Sequence, residues 1–321
     1  MVVVTAVAEV AAAGVVAAAV AADHGSGRSP RMSGPLPDGA LGIGWRPEIC
    51  GVLAELDGLG FAEVIAESLP VRRRLLGRSE LTIPAELAAL RAGGTVIVPH
   101  GISLSLGGAE PLHEHRIEHL AACAEALGAP LVSEHVAFVR AGGVEAGHLL
   151  PVPRSKAALD VLVRNISRTQ AVLDVPLAVE NIAALFDWPD DEYTDSEFLA
   201  ELVDRTGVYL LVDIANVYAN ARNRARDPLT ELLRLPTDRV AYCHVAGGHD
   251  ADGRYHDTHT DPIPAEVLAL VGAFTDMHPV PLMLERDGNY PPAAELLDEL
   301  DAIAAAAHRP LITGRARSAR T

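Results

Sequence analysis

The chain has 321 residues, 49% of them hydrophobic, enough to bury a substantial core in one large domain or two small ones. Its 43 acidic against 26 basic residues give a formal charge of −17, which repels phosphate backbones and argues against nucleic acid as a partner. Three scattered cysteines, Cys50, Cys123 and Cys243, lack CxxC spacing; they argue against a disulfide framework and read as reduced, mostly buried thiols in a cytoplasmic protein.

Residues 1–38 read as a poorly ordered Ala/Val-rich extension, with a functional start near Met32. The apolar run has no basic residue before it and is interrupted by Glu9, so it is a poor signal peptide. Alanine is too weakly apolar for a membrane span, and no membrane association is expected. From Leu41 onward one unit repeats: a short apolar run, a polar stop, then a helical pattern. The runs are LGIG (41–44), FAEVIAES (61–68), TVIVPH (95–100) and PLVSEH (130–135), then PLAVEN (176–181), VYLLVDI (208–214), VAYCHVAG (240–247) and VPLMLER (280–286). Each is short and rich in β-branched residues, as in parallel strands buried on both faces. Between them, SKAALDVLVRNISRTQAVL places Leu159, Leu162, Val163 and Ile166 on one helical face. DSEFLAELVDRTG opens on acidic residues and ends on Gly207, and PAEVLALVGAF opens on a proline suited to a first turn. Eight such strands alternating with helices predict an α/β fold, a single-domain (β/α)8 TIM barrel over residues 39–310, followed by a flexible tail at 311–321. A doubly wound open sheet is the other arrangement of this pattern, but no GxGxxG follows the first strand.

In such barrels the chemistry sits at the C-terminal ends of the strands. Those ends carry Glu67, His100, Glu134–His135, Glu180–Asn181, Asp213, His244 and Glu285. One polar stop means little; seven aimed into one mouth form a carboxylate-rich cavity whose mutual repulsion cations relieve. Imidazoles with carboxylates and no cysteine suit iron, manganese or zinc. After the seventh strand RYHDTHTDP (254–262) supplies Asp257 and His259, which face the same way if that loop is extended. His249, His256 and Asp261 read as loop groups facing substrate or solvent, and His115 with His119 as a solvated helix face despite their chelating i, i+4 spacing. Glu67 reads either as a supporting group or as an arginine partner. The basic stretch VRRRLLGR (71–78) is a solvated face or a dock for an acidic leader peptide. The glycine-rich GGTVIVPHGISLSLGG lacks the lysine of a phosphate loop.

The stretches VPHGISLSLGG, LVSEHVAFV, LAVENIAALF, LLVDIANVYAN, CHVAGGHDADGRYHDTHTDP and LMLERDGNYP resemble the multinuclear non-haem iron-dependent oxidative enzymes, which include the methanobactin-biosynthesis oxidase. The resemblance runs from about Gly42 to Tyr290 and independently implies a TIM barrel. It implies metal ligands at His100, His135, Glu180, Asp213, Asn216, His244, Asp257, His259 and Glu285, with Glu180, His244 and Asp213 as the catalytic core. Ala215 stands where the family pattern has a further asparagine before Asn216. The implied activity is O2-dependent oxidative modification of cysteine residues in a ribosomally synthesised precursor peptide. The implied cofactor is two or three iron ions in mixed ferrous and ferric states. A small leader-peptide-recognition protein is the implied partner. Two other classes fit the residues alone: a divalent-metal sugar isomerase or endonuclease-like hydrolase on the same barrel, and a non-enzymatic metal- or peptide-binding module.

Overall fold

All eight apolar runs form strands in a computed structural model, which describes residues 34–72 and 80–314. The strands are β1 (Leu41–Gly44), β2 (Phe61–Ile65), β3 (Val96–His100), β4 (Val132–His135), β5 (Leu177–Glu180), β6 (Tyr209–Asp213), β7 (Val240–Val245) and β8 (Leu282–Leu284). They close into a barrel in chain order, β8 returning to pair with β1, and the pairings are parallel. Most of the N-terminal extension (1–33), most of the basic stretch (73–78) with the serine after it, and the end of the tail (315–321) lie outside the described residues.

Period-two alternation assigns each strand residue to one of two cores. Outward-facing Ala62, Val64, Ile97, Val132, Val179, Leu210, Val212, Val245 and Leu284 join the large core beneath the helices. Inward-facing Phe61, Val98, Leu131, Ala178, Leu211, Tyr242 and Met283 form a separate core inside the barrel. Gly42 is needed here, because a Cβ on it would stand 2.7 Å from the Phe61 ring that fills the barrel floor. On β3, β5, β6, β7 and β8 the next inward residue reaches the mouth, so the parity that buries Leu211 also delivers Asp213; on β2 and β4 the next inward residues, Glu63 and Ser133, stay one layer below.

The helices begin and end where the residues favour it. Lys156–Gln170 is capped by the Ser155 side chain, and Asp195–Thr206 opens on a reciprocal capping box between Thr194 and Glu197 and stops at left-handed Gly207. Ala265–Met277 follows Pro264 and buries Val267, Leu270, Val271 and Phe274.

Two antiparallel hairpins rise above the barrel, Ala137–Ala141 with Val144–Pro151 and Gly248–Ala251 with Arg254–Asp257. The second corrects the expectation of an extended loop. Asp252 and Gly253 both take positive φ (51° and 75°), the two-residue turn for which Asp-Gly is suited, so RYHD is a strand. His259 lies beyond it in the left-handed region (φ 54°), not in an extended run with Asp257.

The segment after β5 is held by ion pairs: Arg154 binds Asp187, Asp191 and Asp195, and Arg224 also binds Asp187. Hydrogen bonds from Arg224, followed by those from Arg154, outweigh burial and hold the Asp187 carboxyl well below the usual aspartate range. A depressed folded-state pKa stabilises the fold above the unfolded pKa and loses that effect as the pH falls toward the folded value. Asp187→Asn is therefore expected to lower the thermal midpoint at pH 7. The gap from wild type should hold down to about pH 4 and close below it, as read by calorimetry across that range.

Candidate metal centre

Six barrel strands deliver six of the titratable groups. β3, β4, β5, β6 and β7 end on or near His100, His135, Glu180, Asp213 and His244, and Glu285 follows β8 directly. Asp257 and His259 arrive from above on the β7 hairpin and the turn after it. That hairpin is gripped by the helix Ile214–Asn223: the Asn223 side chain makes two 2.8 Å hydrogen bonds to the Tyr255 backbone, and Arg222 lies over the Tyr255 ring. Gly247 closes the turn, its carbonyl accepting from His259 N at 2.9 Å. A Cβ on Gly247 would stand 2.2 Å from Pro262 O and 2.3 Å from Asp261 O.

The groups form a continuous array. His100, His135 and Glu180 present donor atoms within 4.8 Å of one another, as do Glu180, Asp213, His244 and Glu285, and then Asp213, Asp257 and His259. Glu180 and Asp213 are each shared by adjoining sets. Glu180 Oε2 lies 3.2 Å from His135 Nε2 and 3.5 Å from His100 Nε2. His244 Nδ1 lies 2.7 Å from Glu285 Oε2 and 3.6 Å from Glu180 Oε1. His259 Nε2 lies 2.7 Å from Asp257 Oδ2 and 3.2 Å from Asp213 Oδ2.

Proximity here is not hydrogen bonding. Glu180 Oε2, Asp213 Oδ2, His244 Nδ1, Asp257 Oδ1, His259 Nε2 and Glu285 Oε2 are all buried without a hydrogen-bond partner. Unsatisfied buried polar atoms cost about 1–3 kcal/mol each, so six converging on one region call for a ligand that accepts lone pairs. Imidazole nitrogens and carboxylate oxygens without thiolates are a donor set for a divalent or trivalent transition metal. The residues fit a multinuclear metal cluster.

The far sides of the histidine rings are anchored. His100 Nδ1 is 2.8 Å from Ser133 Oγ, and His135 Nδ1 is 3.2 Å from the Gly101 carbonyl, which leaves each Nε2 facing Glu180. Electrostatics follow the crowding. Burial alone would lower the histidine pKa values, but Glu285, Glu63 and Glu180 around His244, and Glu285, Asp257 and Asp213 around His259, raise both well above the ordinary value. His135 rises to about 9, burial being outweighed by Glu180 and Glu134. Burial pushes the Asp257 carboxyl up to about 6 against the pull of His259. Bound cations would replace these imidazolium protons as the counter-charge.

Asn216 is also placed at the cavity; its Nδ2 donates to the Asn181 carbonyl at 3.0 Å, which leaves the amide oxygen as its donor atom for a metal. Ala215 is fully buried in the helix. Glu67 takes a supporting role among the described residues: its Oε1 accepts from Ile102 N and Ser103 Oγ. Glu134 accepts from the Leu104 and His135 amides, and Asn181 ties β5 to β6 through the Asp213 backbone. His115 and His119 do not form a metal pair; His119 Nε2 instead meets the Ala66 carbonyl at 2.7 Å. His249 pairs with Asp261 at the exposed edge. Burial raises the Cys123 thiol to about 12, which makes it a poor nucleophile, and no disulfide joins the three cysteines.

Sequence reasoning missed two groups. Asp287 joins His259 and Glu285 in a fourth set, but it also pairs with Arg46 at 2.6 Å. Glu63 lies inside the barrel, 3.1 Å from His244 Nε2. An acidic residue in the middle of FAEVI, on the parity of Phe61, was the available signal. A cavity of 740 Å³ opens above the cluster, bordered by Ile65, Val139, Leu149 and Ile182 as well as the polar groups. A second cavity of only 80 Å³ lies among the outer helices, where Arg154 and Arg224 are held by aspartates.

Residues 40–308 match the family model described as RiPP precursor modification enzyme MbnB/TglH/ChrH. A protein of Streptomyces avermitilis known as a UPF0276 protein is 49% identical over 270 residues, 82% of this chain and 54% of its own length. The chain thus spans about half of that relative. A UPF0276 protein of Caulobacter vibrioides is 35% identical over 268 residues, 83% of this chain and 93% of its own. Among solved structures, endonuclease IV from Thermus thermophilus is similar with a TM-score of 0.55 at 21% identity, covering 85% of this chain and 99% of that one. A D-allulose 3-epimerase from Methylomonas sp. follows with a TM-score of 0.53 at 11% identity, covering 90% and 99%. At such identities the likeness speaks for the barrel alone.

Gly247→Ala is expected to displace the turn that carries His259 and to lower the metal bound per chain, while circular dichroism stays that of the wild type. Unchanged metal stoichiometry would show that His259 is not needed at the cluster. The family match over residues 40–308, together with relatives 35–49% identical across four-fifths of its length, shows that the chain belongs to the RiPP precursor modification enzyme family MbnB/TglH/ChrH.

Proposed function

We propose that the protein is a multinuclear non-haem iron oxidase that uses O2 to modify cysteine residues of a ribosomally synthesised precursor peptide. The observation that carries this reading is the run of donor sets sharing Glu180 and Asp213, residues that would each belong to the ligand sets of two neighbouring ions. His100, His135 and Glu180 would hold one ion, Glu180, Asp213, His244 and Glu285 a second, and Asp213, Asp257 and His259 a third, with the Asn216 oxygen available beside them. Two or three irons of mixed ferrous and ferric state are the proposed complement. Bound iron supplies the one-electron and O2 chemistry that side chains lack.

The chain supplies placement and enclosure. Glu180, Asp213 and His244 form the proposed catalytic core, buried at the strand ends where backbone pairing fixes their positions. Phe61, Leu211 and Met283 pack the floor on one side, and the 740 Å³ cavity opens onto the reacting groups on the other. That cavity has the volume to admit several peptide residues. A small protein that recognises the leader peptide is part of the proposal, supported by the family resemblance. A cytoplasmic setting is proposed as well; no helix among the described residues is long and apolar enough to cross a membrane.

The test is iron content and peptide-dependent O2 uptake on protein purified without oxygen, for wild type, Glu180→Ala and His244→Ala. Both variants should lose iron, and turnover should fall by at least about 100-fold, beyond what loss of a supporting group costs. A peptide with serine in place of cysteine should give no uptake. Full activity with the metal gone would sink the proposal. Zinc or manganese in place of iron after an iron-replete preparation would favour hydrolysis or isomerisation instead.

A further inference from the structure

One layer below the cluster, inside the barrel, three buried polar side chains interrupt an otherwise apolar floor. Glu63 on β2, Ser133 on β4 and Tyr242 on β7 sit there beneath His100 and His244, all fully or almost fully buried. Glu63 Oε2 is 3.1 Å from His244 Nε2 and also accepts from the Tyr242 hydroxyl. The Tyr242 oxygen is 2.8 Å from Ser133 Oγ, and Ser133 Oγ is 2.8 Å from His100 Nδ1.

The hydrogens on this path have one consistent order. A carboxylate only accepts, so Tyr242 gives its single hydroxyl proton to Glu63. Its oxygen then accepts from the Ser133 hydroxyl, and Ser133 accepts in turn from His100 Nδ1–H. On the other branch His244 donates Nε2–H to Glu63. Both histidines are thereby set in opposite tautomers, His100 presenting Nε2 to Glu180 and His244 presenting Nδ1 to Glu285 and Glu180.

We propose that Glu63 is a shared positioning residue: one buried carboxylate orients and polarises His244 directly and His100 through Tyr242 and Ser133, and so links two adjacent metal subsites. The inference rests on the metal-centre reading above. Its consequence is that the two subsites do not have independent ligand strengths. A carboxylate behind an imidazole makes it a stronger donor, and here one carboxylate serves histidines from two different donor sets. A charge at this depth also does what a polar filler would not, since a neutral hydrogen-bonding group of the same shape would satisfy His244 and Tyr242 without adding donor strength.

The experiment uses Fe(II) alone as the probe. Wild type, Glu63→Gln and Tyr242→Phe are purified without oxygen, titrated with Fe(II) against a competing chelator, and examined by Mössbauer spectroscopy. Glu63→Gln should weaken Fe(II) binding by about 10–100-fold and change the spectra of two subsites. Tyr242→Phe, which keeps the ring against Phe61 but breaks the path, should alter one subsite and leave the other as in wild type. Wild-type affinity and spectra in Glu63→Gln would reduce Glu63 to a polar filler and overturn the inference. Wild-type spectra in Tyr242→Phe would overturn the shared role. Should Glu63→Gln fail to fold, Tyr242→Phe decides by the same criterion. Failure of the wild type to bind iron would instead overturn the metal-centre reading, an outcome read before either variant is compared.

Discussion

Concentrating carboxylates and imidazoles in a dry barrel mouth is the constraint on which the rest of this molecule turns. Glu180, Asp213, His244 and Glu285 are each at most a few per cent exposed, and their mutually facing atoms make no hydrogen bonds. Like charges at these separations in low dielectric oppose folding unless protons or cations stand between them. The raised pKa values of His244 and His259 express the first solution, with imidazolium protons serving as counter-charges. Metal ions are the second. A cluster of this composition is therefore tolerable only in a scaffold rigid enough to hold the groups in place.

The barrel meets that requirement through parity. On β3, β5, β6 and β8 the inward residue at or just beyond the strand end sits two positions past an apolar residue packed in the floor, as Asp213 does beyond Leu211 and Glu180 beyond Ala178. To move one of these clustered groups, the strand must slip against both neighbours and expose its floor residue, so packing in the lower layer holds geometry in the upper one. The outer helices act on the same point from another side. The helix Ile214–Asn223 starts on Asp213, whose Oδ1 caps the Asn216 amide at 2.8 Å, while its far end grips the hairpin that brings Asp257 and His259. One helix thus connects two donor sets.

Electrostatic support reaches the cluster from two depths. Below it, Glu63 receives His244 and, through Tyr242 and Ser133, the side of the site that holds His100. At the rim, Arg46 engages Asp287, the acidic residue that stands beside His259 and Glu285. The arginine moderates the negative field at the opening, whereas the buried glutamate strengthens it beneath the histidines.

Sequence alone determined the barrel and most of the donor inventory. Eight short β-branched runs spaced by helical patterns admit few folds, and polar residues closing nearly every run can meet only at the C-terminal mouth. His100, His135, Glu180, Asp213, His244 and Glu285 were legible for that local reason. Tertiary structure alone decided what depends on contacts between distant segments. Glu63 meets His244 and Tyr242 across 181 and 179 residues, and nothing near FAEVI announces either partner. Arg46 reaches Asp287 across 241. His259 enters the site through a left-handed turn beyond an Asp-Gly hairpin, where an extended chain was the simpler expectation. Local periodicity records which face a side chain takes; strand register and barrel closure settle which other side chains share that face, and those are properties of the whole folded chain.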